Sequence, residues 1–522
     1  MPTAASRSQP LVWPDLNLSL RDRPLTLLLV VTLVARLVAA ATMPLTIDEA
    51  YAVVVSRSHA LSYFDHPPLA FALARFMADA TGAELAFAMR LPFLVLGMIS
   101  LWLIYDLTRN AFGRGPALWA AIWFAISPFF GLAAGTFILP DGPLDTTLLI
   151  CARCLLPFLW RPGERPGVLI WAAAGAALGL AVLSKYQTAL FAASLMVLFL
   201  TTRRGRACLH WLYTPAALSG AALIALPVLV WNAEHHWASL AFQAGRAGGH
   251  GLQPGNFAAM LLGQALYVGP VASFIAMRSL TTALRTPLPH PPAVFGWLAI
   301  VPLAAFAMIS LFSVHSLPHW AMNGWLFTFP LIGQWTDRSL RHGRPLGRWA
   351  LASALILAGL SALYVAQARD AILTRYLASR EPAGGVAWQS MDWTSLTPYL
   401  ESETGLIVTP NWVQAARVGA VLKGHQRFRT LADPQHHFPY MGGPPATKGM
   451  FVGAVTFGEE SDQLSDYEAG LAYDYKIEGP PEWLVIQRQG FPSFKLVLMP
   501  VSLKPLSMTR TGPASGSGDA GA

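Results

Sequence analysis

Short polar motifs along this chain contain the carboxylate, imidazole and ammonium groups that catalysis at a membrane surface would use. Each motif stands where an apolar run ends, and the motifs alternate with connections rich in arginine. Since arginine accumulates in cytoplasmic connections, the alternation indicates that the motifs share the opposite side of a membrane. The motifs are Asp48-Glu49, Tyr63 to Pro68, Asp141-Gly142, Ser184-Lys185-Tyr186 and Glu234-His235-His236. We therefore predict one active site at an outer membrane surface.

Asp48 and Glu49 are the first candidates for acid–base chemistry. Thr46 and Glu49 have the spacing of a capping box, so Glu49 could either cap a helix or take part in catalysis. Asp48 is not needed for the box. A carboxylate in a surface cleft could accept a proton from an attacking hydroxyl or orient an acceptor, and we predict that Asp48 is catalytic.

The motif Tyr63-Phe64-Asp65-His66-Pro67-Pro68 puts a carboxylate beside an imidazole. The two prolines stop a helix and hold the loop extended, which would make a rigid polar corner suited to a lipid headgroup. The alternative is an ordinary turn with solvated side chains. We predict Asp65 as a further catalytic carboxylate.

Asp141 and Lys185 each allow two interpretations. An aspartate before glycine is common turn chemistry, but Asp145, one helical turn further on, favours a functional pair. Lys185 could simply extend its ammonium group to the membrane interface, where water solvates the charge. Because a lysine on the outer face departs from the usual charge bias, it could instead bind a lipid-linked phosphate.

Histidines are concentrated on the same predicted face. His235, His236, His315 and His319 could join Asp65 and His66 in a divalent-metal site, although the spacing typical of zinc ligands is absent. No cofactor is therefore predicted with certainty. Asp65 and His235 are the metal-ligand candidates if a metal is used.

The composition is that of a polytopic membrane protein. The chain has 522 residues, of which 54% are hydrophobic and 12% charged, too few polar groups to cover a soluble globule of this size. Its net charge of +8 lies in short arginine-containing connections, without the basic stripe or aromatic platform of a nucleic-acid binder. With three cysteines, two of them within an apolar run, no disulfide framework is implied.

Apolar runs long enough to cross a bilayer number about eleven. They lie near 25–43, 90–108, 116–135, 143–160, 167–184, 187–201, 211–231, 256–278, 293–312, 319–336 and 348–366. The chain then divides into a cytoplasmic N-terminus (1–24), a transmembrane domain (25–368), a soluble α/β domain (369–510) and a disordered tail (511–522). In the outer loop 45–88, two amphipathic stretches, 49–61 and 69–80, are expected to lie in the membrane interface.

An ordered set of motifs resembles the bacterial glycosyltransferase family 39 membrane proteins, relatives of protein O-mannosyltransferases and of the aminoarabinose transferase of lipid A. The set runs from about residue 24 to 340. It comprises Asp48-Glu49-Ala50-Tyr51, Tyr63 to Leu69, Arg90-Leu91-Pro92, Asp141 to Leu144, Leu183 to Tyr186, Trp231 to Ser239 and Pro318-His319-Trp320. The resemblance implies a GT-C fold and a sugar donor on a polyprenyl phosphate. Consistently, the sequence has no glycine-rich nucleotide-binding loop.

The resemblance also implies roles for particular residues. It indicates an inverting displacement at the anomeric carbon, in which Lys185, His66 and Arg90 would stabilise the departing polyprenyl phosphate. Asp48 matches the family's key carboxylate and would act as a base toward a hydroxyl or orient a phosphate acceptor. His66 stands where some members have lysine. Contacts with donor or acceptor are expected from Tyr51, Tyr63, Asp141, His235, His236 and His319.

These expectations favour an enzyme of the bacterial inner membrane, with a cytoplasmic N-terminus and a periplasmic C-terminal domain. Its partners would be a polyprenyl-phosphate-linked sugar and a lipid or glycan acceptor, with lipopolysaccharide the leading acceptor. Two other classes stay open: a transporter or lipid flippase, and a non-catalytic glycolipid-binding protein. A transporter would place its charges within broken helices near the membrane midplane, whereas here the charges stand at span ends.

Overall fold

The apolar runs of the sequence form long helices. The computed structural model describes residues 22–246, 251–314, 316–373, 393–400, 405–422, 424, 426–432, 436–442, 446–488 and 491–504. Among these residues, five helices are long and apolar enough to cross a membrane, and two further helix pairs pass the same test together. The chain is thus a multi-pass membrane protein, and the count of eleven spans stays a prediction.

The helices of the first compact unit have the following bounds. The five long ones are Arg23–Thr42, Ala86–Phe112, Asp141–Trp160, Pro291–Phe312 and Leu346–Asp370. The bent pairs are Tyr213–Ile224 with Leu226–Glu234 (47°) and Pro254–Val268 with Pro270–Leu284 (105°). Others are Ile47–Ser56, Leu69–Thr81, Arg114–Ala125, Val168–Val182, Thr188–Thr201, Arg203–Cys208, Ala238–Arg246, Met322–Leu326 and Phe329–Arg341.

The loop between the first two long helices contains both of the helices expected there. Ile47–Ser56 starts with the capping box of Thr46 and Glu49, and Leu69–Thr81 follows the two prolines and ends at Gly82 with a φ of 67°. Arg57 lies just after the first of these helices and Glu84 just after the second. The Arg57 guanidinium binds both carboxylate oxygens of Glu84, at 2.9 and 2.6 Å. This bracing fixes the loop that presents the polar motifs.

A buried arginine shapes the chain just before Asp141. Arg36, 2% exposed, donates from Nε to the carbonyl of Gly131 at 2.8 Å, inside the π-helix Pro128–Ala133. Gly97 and Gly135 leave room for its guanidinium, since a Cβ at either position would come within 2.5 Å of it. The arginine thereby supplies hydrogen-bond donors to carbonyl groups of this irregular backbone.

The second compact unit contains a mixed six-stranded sheet. Its strands are β1 (Leu406–Thr409), β2 (Arg427–Thr430), β3 (Lys448–Val455), β4 (Tyr475–Ile477), β5 (Glu482–Arg488) and β6 (Phe491–Leu503). The order is β2-β1-β3-β6-β4, with β5 also paired to β6; β1 is parallel to β2 and β3, and the other pairs are antiparallel. With the helices Trp412–Val421 and Glu460–Leu471 it confirms a small α/β domain. Its exact limits and its periplasmic location stay predictions, and the tail 511–522 lies outside the described residues.

Candidate active site

Asp48 is presented by the first turn of the helix Ile47–Ser56. The capping box fixes this turn: Glu49 N–H donates to Thr46 Oγ1 at 3.2 Å, and Thr46 N–H donates to the Glu49 carboxylate at 2.9 Å. Neighbouring helical side chains point in different directions, so Asp48 is exposed whereas Glu49 is fully buried. The two adjacent carboxylates therefore have different environments and different roles.

Glu49 and Arg90 form a buried ion pair, which favours structural roles for both residues. Arg90 donates from Nε and Nη2 to the two Glu49 oxygens, both at 2.7 Å, and both side chains are fully buried. Its remaining bonds go to the carbonyls of Ala40, Met43 and Pro44 at 2.8 to 2.9 Å. Arg90 is thus held by protein groups, and Glu49 completes the capping box, so we propose structural roles for both.

We expect the substitution Arg90→Ala to destabilise the fold rather than to weaken donor binding. Removing one partner of a buried ion pair leaves an uncompensated charge and costs about 3 to 5 kcal/mol. Thermal unfolding of the detergent-solubilised protein measures this loss, with the exposed Arg344→Ala as the matched control. A variant that unfolds like wild type but binds donor poorly would restore the phosphate-binding role.

Lys185 and Asp141 form a second buried pair. The ammonium nitrogen lies 2.9 and 3.0 Å from the two carboxylate oxygens, and the side chains are only 5% and 8% exposed. Lys185 lies in the turn after the helix Val168–Val182, and Asp141 is the first residue of a long helix. An ammonium group has three donors, so the pair leaves Lys185 one donor for a ligand. Asp145, 3% exposed, lies one turn further along.

Asp65 and His66 are fixed on several sides. Tyr51 donates its hydroxyl proton to Asp65 Oδ1 at 2.8 Å, and Gln243 Nε2 donates to the Asp65 carbonyl at 2.7 Å. His66 Nδ1 contacts that carbonyl and lies 3.6 Å from Asp65 Oδ2. The motif is therefore an ordered corner and not a solvated turn.

Hydrogen bonds between distant segments bring these motifs together. Leu69 N–H, directly after the two prolines, donates to the carbonyl of Leu183 at 2.9 Å, next to the turn that carries Lys185. Tyr186 in that turn is hydrogen-bonded through its hydroxyl to Ser239 at 2.7 Å, at the start of the helix Ala238–Arg246. Segments distant in sequence thus converge on one place.

Electrostatic interactions link five titratable side chains of these motifs, and we call the region around them the polar hollow, defined by Asp48, His66, Asp141, Lys185 and His319. The charge of Asp48 interacts with those of His66, Asp141 and Lys185, and half-buried His319 interacts with the same three partners. Part of the Asp48 side chain is accessible to solvent, but protein groups are packed densely around it. This loss of hydration raises the pKa of its carboxyl, and Asp141 adds to the rise while His66 and Lys185 oppose it.

His235 and His236 are placed differently from the other predicted residues. His235 Nδ1 bonds the Trp231 carbonyl at 2.8 Å, and its ring stacks on Trp231; His236 is exposed, with a φ of 54°. His315 lies outside the described residues. Within the part of the chain that the structure describes, no group of three or more His, Cys, Asp or Glu side chains could hold a metal ion. We therefore assign no chemical step to a metal.

Two side chains beside the hollow are not in the predicted set. Arg246 packs its guanidinium over the ring of Trp320 at 4.3 Å and interacts electrostatically with Asp65 and His319. Tyr267 interacts with Asp48 and Asp141. Arg246 follows a motif that is predicted to lie on the outer side, so its charge is an exception to the charge bias in the same way as that of Lys185. The sequence around Tyr267 does not distinguish this residue from other aromatic residues of an apolar helix.

A bundle of apolar helices with a polar hollow among its connections, followed by a small mixed sheet, defines a membrane protein of GT-C fold. The family model described as dolichyl-phosphate-mannose-protein mannosyltransferase matches residues 65–231, which include Asp65, Asp141 and Lys185. These findings confirm the resemblance that the sequence motifs indicated.

In particular, the chain is similar to ArnT from Cupriavidus metallidurans. The crystal structure of ArnT bound to undecaprenyl phosphate has a TM-score of 0.60 at 16% identity, over 91% of this chain and 97% of that chain. The apo structure has a TM-score of 0.59 at 15% identity, with the same coverage. At this identity the similarity defines the fold alone. No curated protein matches the chain.

Proposed function

We propose that this protein is a membrane glycosyltransferase that moves a sugar from a polyprenyl-phosphate carrier to an acceptor at the extracytoplasmic face. The observation that carries the proposal is the polar hollow, in which the carboxylate of Asp48 interacts electrostatically with Lys185 and His66. Transfer from a lipid phosphate needs these two kinds of group, a base or orienting carboxylate and cations for the leaving phosphate. The similarity to ArnT, crystallised with undecaprenyl phosphate, supports this donor class.

The proposed reaction is an inverting displacement at the anomeric carbon. An acceptor oxygen forms the new bond to that carbon while the bond to the phosphate oxygen breaks, and the polyprenyl phosphate leaves with the bonding electrons. Asp48 takes the proton of a hydroxyl acceptor or orients an ionised one. Lys185 and His66 stabilise the charge on the departing phosphate from positions set by Asp141 and Asp65.

The proposed location is the bacterial inner membrane, with lipid A or another lipopolysaccharide component as the acceptor. The arginine-rich connections support a cytoplasmic N-terminus, and an odd span count would put the C-terminal domain in the periplasm. The hollow lies among connections that the charge bias assigns to the outer side. A polyprenyl-linked donor and a lipid acceptor could both reach it from the bilayer.

Reconstitution in lipid nanodiscs with radiolabelled polyprenyl-phosphate sugars tests the function. We expect label to move from the polyprenyl lipid to an added lipid A acceptor, and the reaction to release unlabelled polyprenyl phosphate. Transfer to a different acceptor would correct the acceptor assignment. An absence of transfer from every donor in the set would contradict the proposal.

A transporter or lipid flippase is the second candidate, and one observation favours it. The pair Pro254–Val268 and Pro270–Leu284 is bent by 105° at Gly269, and broken helices are common at transport sites. Proteoliposomes separate the two functions. A transporter would move the intact glycolipid between leaflets and leave the sugar on its carrier, whereas a transferase would separate them.

We expect the substitution Arg246→Ala to weaken donor binding about tenfold or more, because Arg246 is a cation beside the hollow that packs on two aromatic faces and has Asp65 as a nearby charge. Charge-assisted bonds to a phosphate contribute about 1.5 to 3 kcal/mol. The donor KM in the transfer assay measures the effect. Arg246→Lys keeps the charge and should recover part of the affinity. If both variants have the wild-type KM, Arg246 does not contact the donor.

A further inference from the structure

A short segment from late in the chain is packed inside the helical unit. Residues 436–440 belong to the compact unit formed by the membrane helices, and we call them the clamp segment. His436, His437 and Phe438 in it are each 2% exposed or less. Burial of this degree means that the segment is part of the packed interior of that unit.

Aromatic contacts hold the clamp segment against the polar motif of the first loop. The ring of Phe438 lies 5.4 Å from that of Tyr51, His437 lies 4.7 Å from Tyr63, and Tyr440 stacks on Phe64 at 5.4 Å. Each contact falls on a residue of the Tyr63-Phe64-Asp65-His66 corner or on its hydroxyl partner, Tyr51. The segment therefore covers the side of the corner that carries Asp65.

His437 makes hydrogen bonds to Tyr51 and Phe64, and its ring Nε2 lies 3.5 Å from Ser58 Oγ. Its backbone N–H donates to the Tyr51 hydroxyl oxygen at 2.7 Å, and the same hydroxyl donates to Asp65 Oδ1 at 2.8 Å. Its ring Nδ1 accepts from the backbone N–H of Phe64 at 3.1 Å. A nitrogen that accepts a hydrogen bond is unprotonated, so His437 acts here as a neutral imidazole. Burial, together with His235 and His436, lowers the pKa of His437 to about 3, which agrees with a neutral ring.

We propose that His437 is a positioning residue for the transfer reaction. Its backbone N–H orients the Asp65 carboxylate through the Tyr51 hydroxyl, and its ring holds the peptide between Tyr63 and Phe64. Two consecutive residues of the corner are thus fixed by one residue 386 positions away from Tyr51. The expected effect on the transfer rate rests on the proposed function. The hydrogen bonds among His437, Tyr51 and Asp65 do not depend on it.

Two physical effects follow from the chain His437 N–H to Tyr51 to Asp65. A hydroxyl that accepts one hydrogen bond becomes a stronger donor in the next, so the clamp segment strengthens the bond to the carboxylate. The bond also occupies Oδ1 and leaves Oδ2 toward His66, 3.6 Å away. His66 is therefore held beside a carboxylate of fixed orientation, which fixes the position of its ring next to the hollow.

The test compares His437→Ala, His437→Asn and Tyr51→Phe in the transfer assay. His437→Ala removes the ring acceptor of the Phe64 hydrogen bond and keeps the backbone N–H, whereas Tyr51→Phe removes the hydroxyl that links this N–H to Asp65. A misplacement of about 1 Å at a catalytic group can lower the rate about 10²-fold, so we expect kcat to fall about ten- to a hundredfold in each variant. The donor KM should change much less. An asparagine oxygen can accept the Phe64 hydrogen bond in place of Nδ1, so His437→Asn should recover most of kcat. Tyr473→Phe, at a side chain 82% exposed, is the matched control.

A second measurement needs no substrate. In Tyr51→Phe the His437 N–H loses its acceptor, so a peptide that contains residues 436–440 should exchange its amide hydrogens faster than in wild type. Unchanged exchange would overturn the hydrogen-bond chain. Wild-type kcat in His437→Ala, or a loss that asparagine does not recover, would overturn the positioning role. If wild type transfers no sugar but the exchange result holds, the proposed function fails while the clamp geometry stands.

Discussion

The substitution Asp48→Asn is expected to lower sugar transfer by about 10²- to 10⁴-fold, the usual contribution of a general base. Asparagine keeps the size of the side chain but cannot accept a proton. Because Asp48 is exposed to the hollow and no capping bond depends on its side chain, the fold should be retained. The rate of label transfer in nanodiscs at matched protein concentration measures the effect.

The pH dependence gives an independent measure of the same carboxylate. Incomplete hydration raises the pKa of Asp48, so its protonated form persists to higher pH than for an ordinary aspartate. A base acts only when it is deprotonated, and transfer to a hydroxyl acceptor should therefore fall as the pH decreases through this raised pKa. The profile of kcat/KM against pH should show the acidic limb above the ordinary aspartate range, and Asp48→Asn should lose it.

The control for this prediction is Asp466→Asn, which removes an exposed carboxylate from the second compact unit. It should leave both the rate and the pH profile unchanged. Wild-type transfer by Asp48→Asn would exclude Asp48 from the chemistry. A slow variant that keeps the acidic limb would assign that limb to a different group and leave Asp48 to orient the acceptor.

Local patterns in the sequence predicted the parts of the site that depend on neighbouring residues. The spacing of Thr46 and Glu49 predicted a helix start, and the structure has the full capping box there. Two prolines predicted a rigid corner at Asp65 and His66, which the hydrogen bonds from Tyr51 and Gln243 confirm. These features follow from backbone chemistry within a few residues, so no knowledge of the tertiary fold was needed.

Partners that are distant in sequence could not be predicted in this way. Arg90 was expected to bind a donor phosphate, because an arginine near the outer face has no visible counter-ion along the chain. Its counter-ion is Glu49, 41 positions earlier. In the same way, Lys185 was expected to bind a lipid phosphate, but Asp141, 44 positions earlier, balances much of its charge. Such pairings depend on how the helices pack, and a single sequence does not encode them in a local pattern.

Replacing Lys185 by methionine is expected to have the second large effect, on both stability and activity. Lys185→Met leaves the Asp141 carboxylate buried without its cation, which costs about 3 to 5 kcal/mol. If the ammonium also stabilises the leaving phosphate, its loss should lower kcat by about 10²- to 10³-fold, as for the removal of one oxyanion donor. Thermal unfolding and the transfer rate are measured on the same preparation.

The double variant Lys185→Met/Asp141→Asn separates the two effects. With both charges removed, no buried charge is left unpaired, so the unfolding temperature should return most of the way to that of wild type. Transfer should stay low, because the phosphate has still lost its cation. The matched control neutralises the pair of Arg153 and Asp106, at the other end of the helix that starts at Asp141, and should preserve the donor KM. If the Lys185 double variant recovers transfer together with stability, Lys185 serves only to balance Asp141, and the phosphate must depend on His66 and Arg246.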